Sequence, residues 1–191
     1  MISNSQSSEH FEKKYIVNDD PWQYASNQYE LQKYNQAIQT LPREKYTSAL
    51  ELGCSIGVMT ELIAKKCIHL LAIDCAPSAL TLARQRCAQL PHVHVKQAAV
   101  PREFPDGLFD LITFCELGYY LSERDLAELY NKIAQALMRG GHLLMVHWKG
   151  KIEDGPLTAT LVHTMIKSDQ RFKRIACVTH PEYLLDLFEL Q

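Results

Sequence analysis

The chain has 191 residues, 47% of them apolar and 22% charged, with a formal net charge of −2. That length suits one compact domain with a real core, and the near-neutral balance gives no global field for nucleic acid or an anionic membrane. No apolar run approaches membrane-spanning length, and the polar start lacks the basic-then-apolar pattern of a signal peptide.

The elements are predicted in chain order. Residues 1–19 read as a disordered tail, and residues 20–45 as a helical lid ahead of a domain spanning 46–191. Within the lid, Asp20-Pro21-Trp22 leads into a helix over 24–41 carrying Tyr24, Tyr29 and Tyr34, stopped by Pro42. A first strand covers 48–52 and a helix 57–66. A second strand covers 69–73, and Pro77 opens a helix running to 89. A third strand (93–96), a loop (101–107) and a fourth strand (109–115) follow. Ser122 caps a helix ending near 137, and Gly140-Gly141 breaks the chain before a fifth strand at 143–148. A helix near 157–167 precedes two strands, 173–179 and 183–189, whose short connection makes them antiparallel. Strands alternating with helices imply an α/β fold, doubly wound around a mostly parallel sheet.

The chemistry gathers around Glu51-Leu52-Gly53-Cys54-Ser55-Ile56-Gly57, a strand-to-helix loop, with Asp74 closing the next strand. Glycines let the backbone approach a nucleotide-type ligand, and an acid after the second strand takes two ribose hydroxyls. A dinucleotide loop wants G-x-G-x-x-G. Here Ser55 holds the middle position, and Glu51, two residues before Gly53, would repel a pyrophosphate. A ligand with an amino-acid moiety suits this loop better. Glu51 can hold an ammonium, and the amides entering the Gly57 helix can face a carboxylate. S-adenosylmethionine carries both groups plus a ribose.

The spacing resembles motif I of class I methyltransferases, acid-x-Gly-x-Gly-x-Gly. That resemblance implies a Rossmann-like, seven-stranded, mostly parallel sheet with an antiparallel last strand and helices on both faces. Phe109-Asp110-Leu111-Ile112-Thr113-Phe114-Cys115-Glu116 resembles the fourth-strand motif. Leu137-Met138-Arg139-Gly140-Gly141 resembles the Leu-x-Pro-Gly-Gly turn, with Arg139 where proline is usual. Gln97-Ala98-Ala99 stands where an acid often meets the adenine amino group. The cofactor set implied is Glu51, Gly53, Cys54, Ser55, Gly57, Asp74, Cys75, Gln97, Ala98, Ala99 and Cys115, with Tyr29 and Tyr34 contributed by the lid.

Further stretches narrow the resemblance. Asp20-Pro21-Trp22, Tyr29-Glu30, Gly53-Cys54-Ser55-Ile56-Gly57, Glu116-Leu117-Gly118-Tyr119-Tyr120-Leu121, Gly141 to Trp148 and Tyr183-Leu184-Leu185-Asp186 are similar to the nodulation-type (NodS-like) N-methyltransferases. That family methylates the free amine of a deacetylated glucosamine unit in a chitooligosaccharide.

Methyl transfer to an amine needs a neutral nucleophile and a group to take its proton. Glu116, just past the fourth strand, and His147, at the end of the fifth, are the acid/base candidates, with Tyr119 and Tyr120 shaping the acceptor pocket. Trp22, Trp148 and His163 are candidate substrate contacts, Trp148 by stacking on a sugar ring. His163 otherwise reads as a surface or satisfied histidine. His92 and His94 share a strand face without a third ligand, so no metal is expected. The six cysteines, Cys54, Cys67, Cys75, Cys87, Cys115 and Cys177, contain no C-x-x-C pair and read as free core thiols of a cytoplasmic protein. The expected partner is a small-molecule acceptor, with no nucleic acid or membrane, and the chain a monomer or weak homodimer. Methylation of oxygen or of another small amine stays open, as does a non-catalytic cofactor-binding protein. A nicotinamide oxidoreductase is disfavoured by the glycine spacing.

Overall fold

Two lengths of chain fold on themselves in the computed structural model, which describes residues 4–191. One is Ser7–Ala99; the other joins residues 4–6 with Val100–Gln191.

In Ser7–Ala99 the elements are α1 (Ser8–Val17), α2 (Gln28–Thr40), β1 (Tyr46–Leu52), α3 (Val58–Ala64), β2 (Cys67–Asp74), α4 (Pro77–Arg86) and β3 (Val93–Gln97). The strands are parallel: Leu52 pairs with Ile73, and Asp74 with Gln97. Parallel strands covered on both faces carry continuous apolar runs. That is why Ala49, Leu50 and Leu52 of β1 are all buried, while the edge strand β3 stays largely exposed.

The second unit holds β4 (Phe109–Cys115), a 3-10 turn (Gly118–Tyr120), α5 (Glu123–Ala136), β5 (Leu137–Trp148), α6 (Ala159–Lys167), β6 (Phe172–Thr179) and β7 (Tyr183–Leu190). β4 and β5 are parallel, whereas β7 runs antiparallel to both β5 and β6. The seven strands follow the order β3-β2-β1-β4-β5-β7-β6. This is the sheet of the class I methyltransferase fold that the motif order implied.

Three boundaries differ from the sequence reading. Residues 8–17, expected to be disordered, form α1: the Ser7 side chain caps it by accepting from the His10 N–H, and Tyr15 is buried. The expected disorder of residues 1–3 lies outside the described residues. The lid helix begins at Gln28, not at 24. Asp20 instead accepts from the Tyr24 and Ala25 N–H groups at 2.7 and 2.9 Å, and Asn27 caps α2 from outside. Short acidic and amide side chains compete for backbone donors in this way and favour turns over helix. Finally, Gly140-Gly141 does not break the chain. β5 already starts at Leu137, and its register jumps from Phe109↔Leu137 to Leu111↔His142. Gly140, at φ +72°, supplies the left-handed residue that such a bulge needs.

Candidate functional site

In the Ser7–Ala99 unit the loop after β1 is tied to the end of β2. The amides of Gly53 and Cys54 both donate to the Ile73 carbonyl, at 2.9 and 2.8 Å. Ser55 and Gly57 take left-handed φ values of +50° and +83°. At Gly57 a side chain would also meet the Ala83 backbone at 3.1 Å, so close packing of α4 adds to the demand for glycine.

Glu51 and Asp74 flank this loop. Glu51 is buried, and its Oε2 accepts from Thr60 Oγ1 at 2.6 Å. Burial, reinforced by Asp74 and only partly offset by Thr60, pushes its carboxyl up to about 8. Asp74 is half-buried. Its Oδ2 accepts from the Ser55 N–H at 2.8 Å and its Oδ1 from the Ala76 N–H at 3.0 Å. Burial raises its carboxyl while those two amides pull it down. The Cys75 amide and thiol also donate to this carboxyl, so it is held on several sides at the end of β2. Burial and Asp74 also push Cys75 up to about 12, and Cys54 rises for the same reasons, which favours the protonated thiol at both.

Gln97 donates from Nε2 to the Cys75 carbonyl at 3.2 Å, and the Ala98 N–H donates to the Asp74 carbonyl at 2.9 Å. The fold therefore brings Gln97 and the buried Ala98 to the Asp74-Cys75 corner; Ala99 follows, half-buried.

The loop also receives a contact from α1. Tyr15 of α1 donates to Ser55 Oγ at 2.6 Å, and Glu12 accepts from both the N–H and the hydroxyl of Ser78 at the start of α4. Tyr15 was missed in the sequence, although Phe11 and Tyr15 stand four apart behind the Ser7 cap. Trp22 packs edge-on against Tyr15 at 5.5 Å and stacks on Tyr24 at 5.8 Å. Tyr34 is buried against Tyr24, and the Lys33 ammonium lies over the rings of Tyr29 and Tyr34 at 5.4 and 5.7 Å. Tyr34 is thereby committed to packing of α2.

In the second unit, Cys115 ends β4 half-buried, and Glu116 follows with φ +52°, unusual for a residue with a side chain. Glu116 is buried at the carboxyl end of the strand. Its Oε2 accepts from the Tyr119 hydroxyl and from the Trp148 N–H, the latter at 3.0 Å. Tyr120 is buried edge-on against Tyr119 at 4.9 Å, and its carbonyl accepts from the Gln6 N–H at 2.9 Å. Trp148 remains 37% exposed, with its indole packed on Gly150.

His147 and His163 require correction. Both are fully buried. His147 Nε2 accepts from the Gly118 N–H at 3.0 Å, and Nδ1 meets His163 Nε2 at 3.1 Å, so both ring nitrogens are engaged within the protein. His163 Nδ1 bonds Asp186 Oδ2 at 2.6 Å. His147 is therefore not an acid/base group for a bound molecule, and His163 is not a substrate contact.

A family model described as Nodulation protein S (NodS) matches residues 4–150, most of the chain. The chain belongs to the nodulation protein S family. A family member from Sinorhizobium fredii (strain NBRC 101917 / NGR234) is 31% identical over 71% of this chain, and one from Rhizobium tropici 34% identical over 68%. The matched stretch spans 63% and 55% of those relatives' own lengths. Among solved structures, a Pseudomonas syringae chain assigned as a methyltransferase is 37% identical, covering 85% of this chain and 99% of that one at a TM-score of 0.76. The N-methyltransferase NodS of Bradyrhizobium japonicum WM9, crystallised with S-adenosyl-L-homocysteine, is 24% identical. It covers 97% of this chain and 99% of that one at a TM-score of 0.85, a likeness of fold.

Proposed function

We propose that this chain is an S-adenosylmethionine-dependent methyltransferase acting on the amine of a small acceptor, with an amino sugar or deacetylated chitooligosaccharide as the favoured substrate. The observation that carries it is Glu51, a buried carboxyl beside the glycine loop, held by the neutral Thr60 hydroxyl and pushed up to about 8. An ammonium brought to it restores the charged form, and Asp74, at the end of the neighbouring strand, is the acid placed for the ribose hydroxyls. These residues fit the amino-acid and ribose ends of S-adenosylmethionine.

When bound, that cofactor supplies an electrophilic methyl on a sulfonium sulfur and leaves as S-adenosylhomocysteine. Glu51, Asp74, the Gly53–Gly57 loop and the Asp74–Ala98 corner hold it, under Tyr15. Glu116 takes the proton from the acceptor ammonium, which frees the nitrogen lone pair. The Tyr119 hydroxyl and the Trp148 amide fix the rotation of that carboxyl. The exposed indole of Trp148 offers a flat face to a sugar ring. The small-molecule reading accords with a net charge of −2 and, among the described residues, no helix long and apolar enough to cross a membrane. A cytoplasmic location and a monomer or weak homodimer belong to the same reading; the six free thiols support that location.

The test is mass spectrometry of partially deacetylated chitooligosaccharides, simple amines and hydroxylated metabolites after incubation with S-adenosylmethionine and the protein. One methyl added at an amino-sugar nitrogen is the expected result. Methylation confined to oxygen or to other amines overturns the substrate. Cofactor binding without any product overturns the activity.

A further inference from the structure

We infer that His147, His163 and Asp186 form a buried positioning string that holds the Gly118–Tyr120 turn and so aims Glu116 through Tyr119; its effect on turnover rests on the proposed methyl transfer. His163 and Asp186 lie beyond residue 150, where the family-model match ends.

The hydrogen bonds fix every proton in the string. The Gly118 amide can only donate, so His147 Nε2 carries no proton. The proton of a neutral His147 is then on Nδ1, and it donates to His163 Nε2. His163 in turn carries its proton on Nδ1 and donates to Asp186. Asp186 terminates the string as a carboxylate, bridged by Lys167 Nζ at 2.9 Å and an Arg174 guanidinium nitrogen at 3.2 Å. Both imidazoles are therefore neutral and each is locked in one tautomer.

The string sits among apolar and aromatic groups with little freedom. Phe114 and Tyr119 stand edge-on to the His147 ring at 5.1 and 5.4 Å. A side chain on Gly118 would lie 2.6 Å from Val162 and 2.9 Å from His147 Nε2, so the turn is pressed directly on the imidazole. Besides this contact, the turn is held by Leu157 N–H to the Tyr119 carbonyl and Gln6 N–H to the Tyr120 carbonyl. Those bonds fix its far end, while the His147 bond fixes the end joined to Glu116.

The charged and titratable groups around the imidazoles are Asp186 on β7, Lys167 on α6, Arg174 on β6, and Glu116 and Tyr119 beside the turn. Tyr130 of α5 donates to the Val162 carbonyl next to His163. A proton added at His147 Nε2 would face the Gly118 N–H and expel the turn.

The test uses the whole protein with two substitutions. His163→Phe keeps a flat ring but gives His147 Nδ1 no acceptor. His163→Gln can accept from Nδ1 through its amide oxygen. Nitrogen-15 NMR of the imidazoles should show His147 protonated at Nδ1 in the wild type and in H163Q, and altered in H163F. The kcat for methyl transfer should drop about tenfold in H163F with the cofactor KM unchanged, and H163Q should recover most of it. His147 found protonated at Nε2 in the wild type overturns the string, as does unchanged kcat in H163F. Should H163F fail to fold, the wild-type tautomer and the H163Q spectrum still decide. The tautomers are read without any acceptor, so a failed string is distinguishable from a failed methyltransferase assignment.

Discussion

Glu51, next to last in β1, and Asp186, midway along β7, are both buried acids, yet their surroundings drive them in opposite directions. Glu51 meets only a neutral hydroxyl and is pushed up to about 8. Asp186 is buried too, but His163 and Lys167 outweigh that burial and hold the carboxyl down at about 2. Burial alone stores an unmet demand for a cation; burial with cations satisfies it. The first arrangement is ready to receive a charged ligand, and the second is finished architecture.

The largest effect expected from this contrast is at Glu116. Glu116→Gln should lower kcat for methyl transfer by about 10²–10⁴-fold, most strongly below the acceptor amine's pKa, with cofactor affinity unchanged by calorimetry. Normal turnover at every pH would remove Glu116 as the base. Next is Asp186→Ala, which strands His163 and two cations and should cost about 3 kcal/mol in denaturant unfolding. Because its carboxyl is depressed, the wild-type contribution should be complete above the ordinary carboxylate range and be lost progressively as pH falls through that range toward about 2. Asp74→Ala should do the reverse. Cofactor affinity should fall by ~1–3 kcal/mol as the ribose partner and the acceptor for two loop amides are lost. Equal affinity in calorimetry would take Asp74 out of the site.

The finest test concerns Glu51, whose proton must leave before it can hold an ammonium. Its raised carboxyl makes affinity climb as pH rises toward about 8, by up to tenfold per pH unit. Above that the ligand's own α-amino group, with an ordinary value of about 7.7–8.0, discharges and affinity falls again. Glu51→Gln should flatten the acid limb. A wild-type profile already flat between acid and neutral pH would dissolve the contrast with Asp186. Without ligand, Glu51 should cost stability as pH rises from the ordinary carboxylate range toward about 8, opposite in sign to Asp186.

The sheet was readable because its central strands are unbroken apolar runs, and Pro77 and Ser122 punctuate the helices as expected. Glu51 and Asp74 were readable from their spacing about the glycines. α1 was not: eight of the first ten residues are not strongly apolar, and its helix depends on Tyr15 finding Ser55. The role of His147 was also hidden. A histidine at a strand end looks the same in sequence whether it faces a ligand or a glycine amide 29 positions away. Only the pairing of β5 with β7, and the packing of α6, bring His163 and Asp186 into play.

The order of the last strands has a consequence for how the chain is made. β6 leaves the ribosome before β7, yet β7 inserts between β5 and β6. Until β7 is synthesised, one edge of β5 has no neighbour, and its row of buried Leu143, Leu144, Met145 and Val146 lacks a lateral seal. An open, apolar edge is a template for pairing with other nascent chains. The segment that seals this edge is therefore the last one to be synthesised, and it has to settle between two neighbours that are already made.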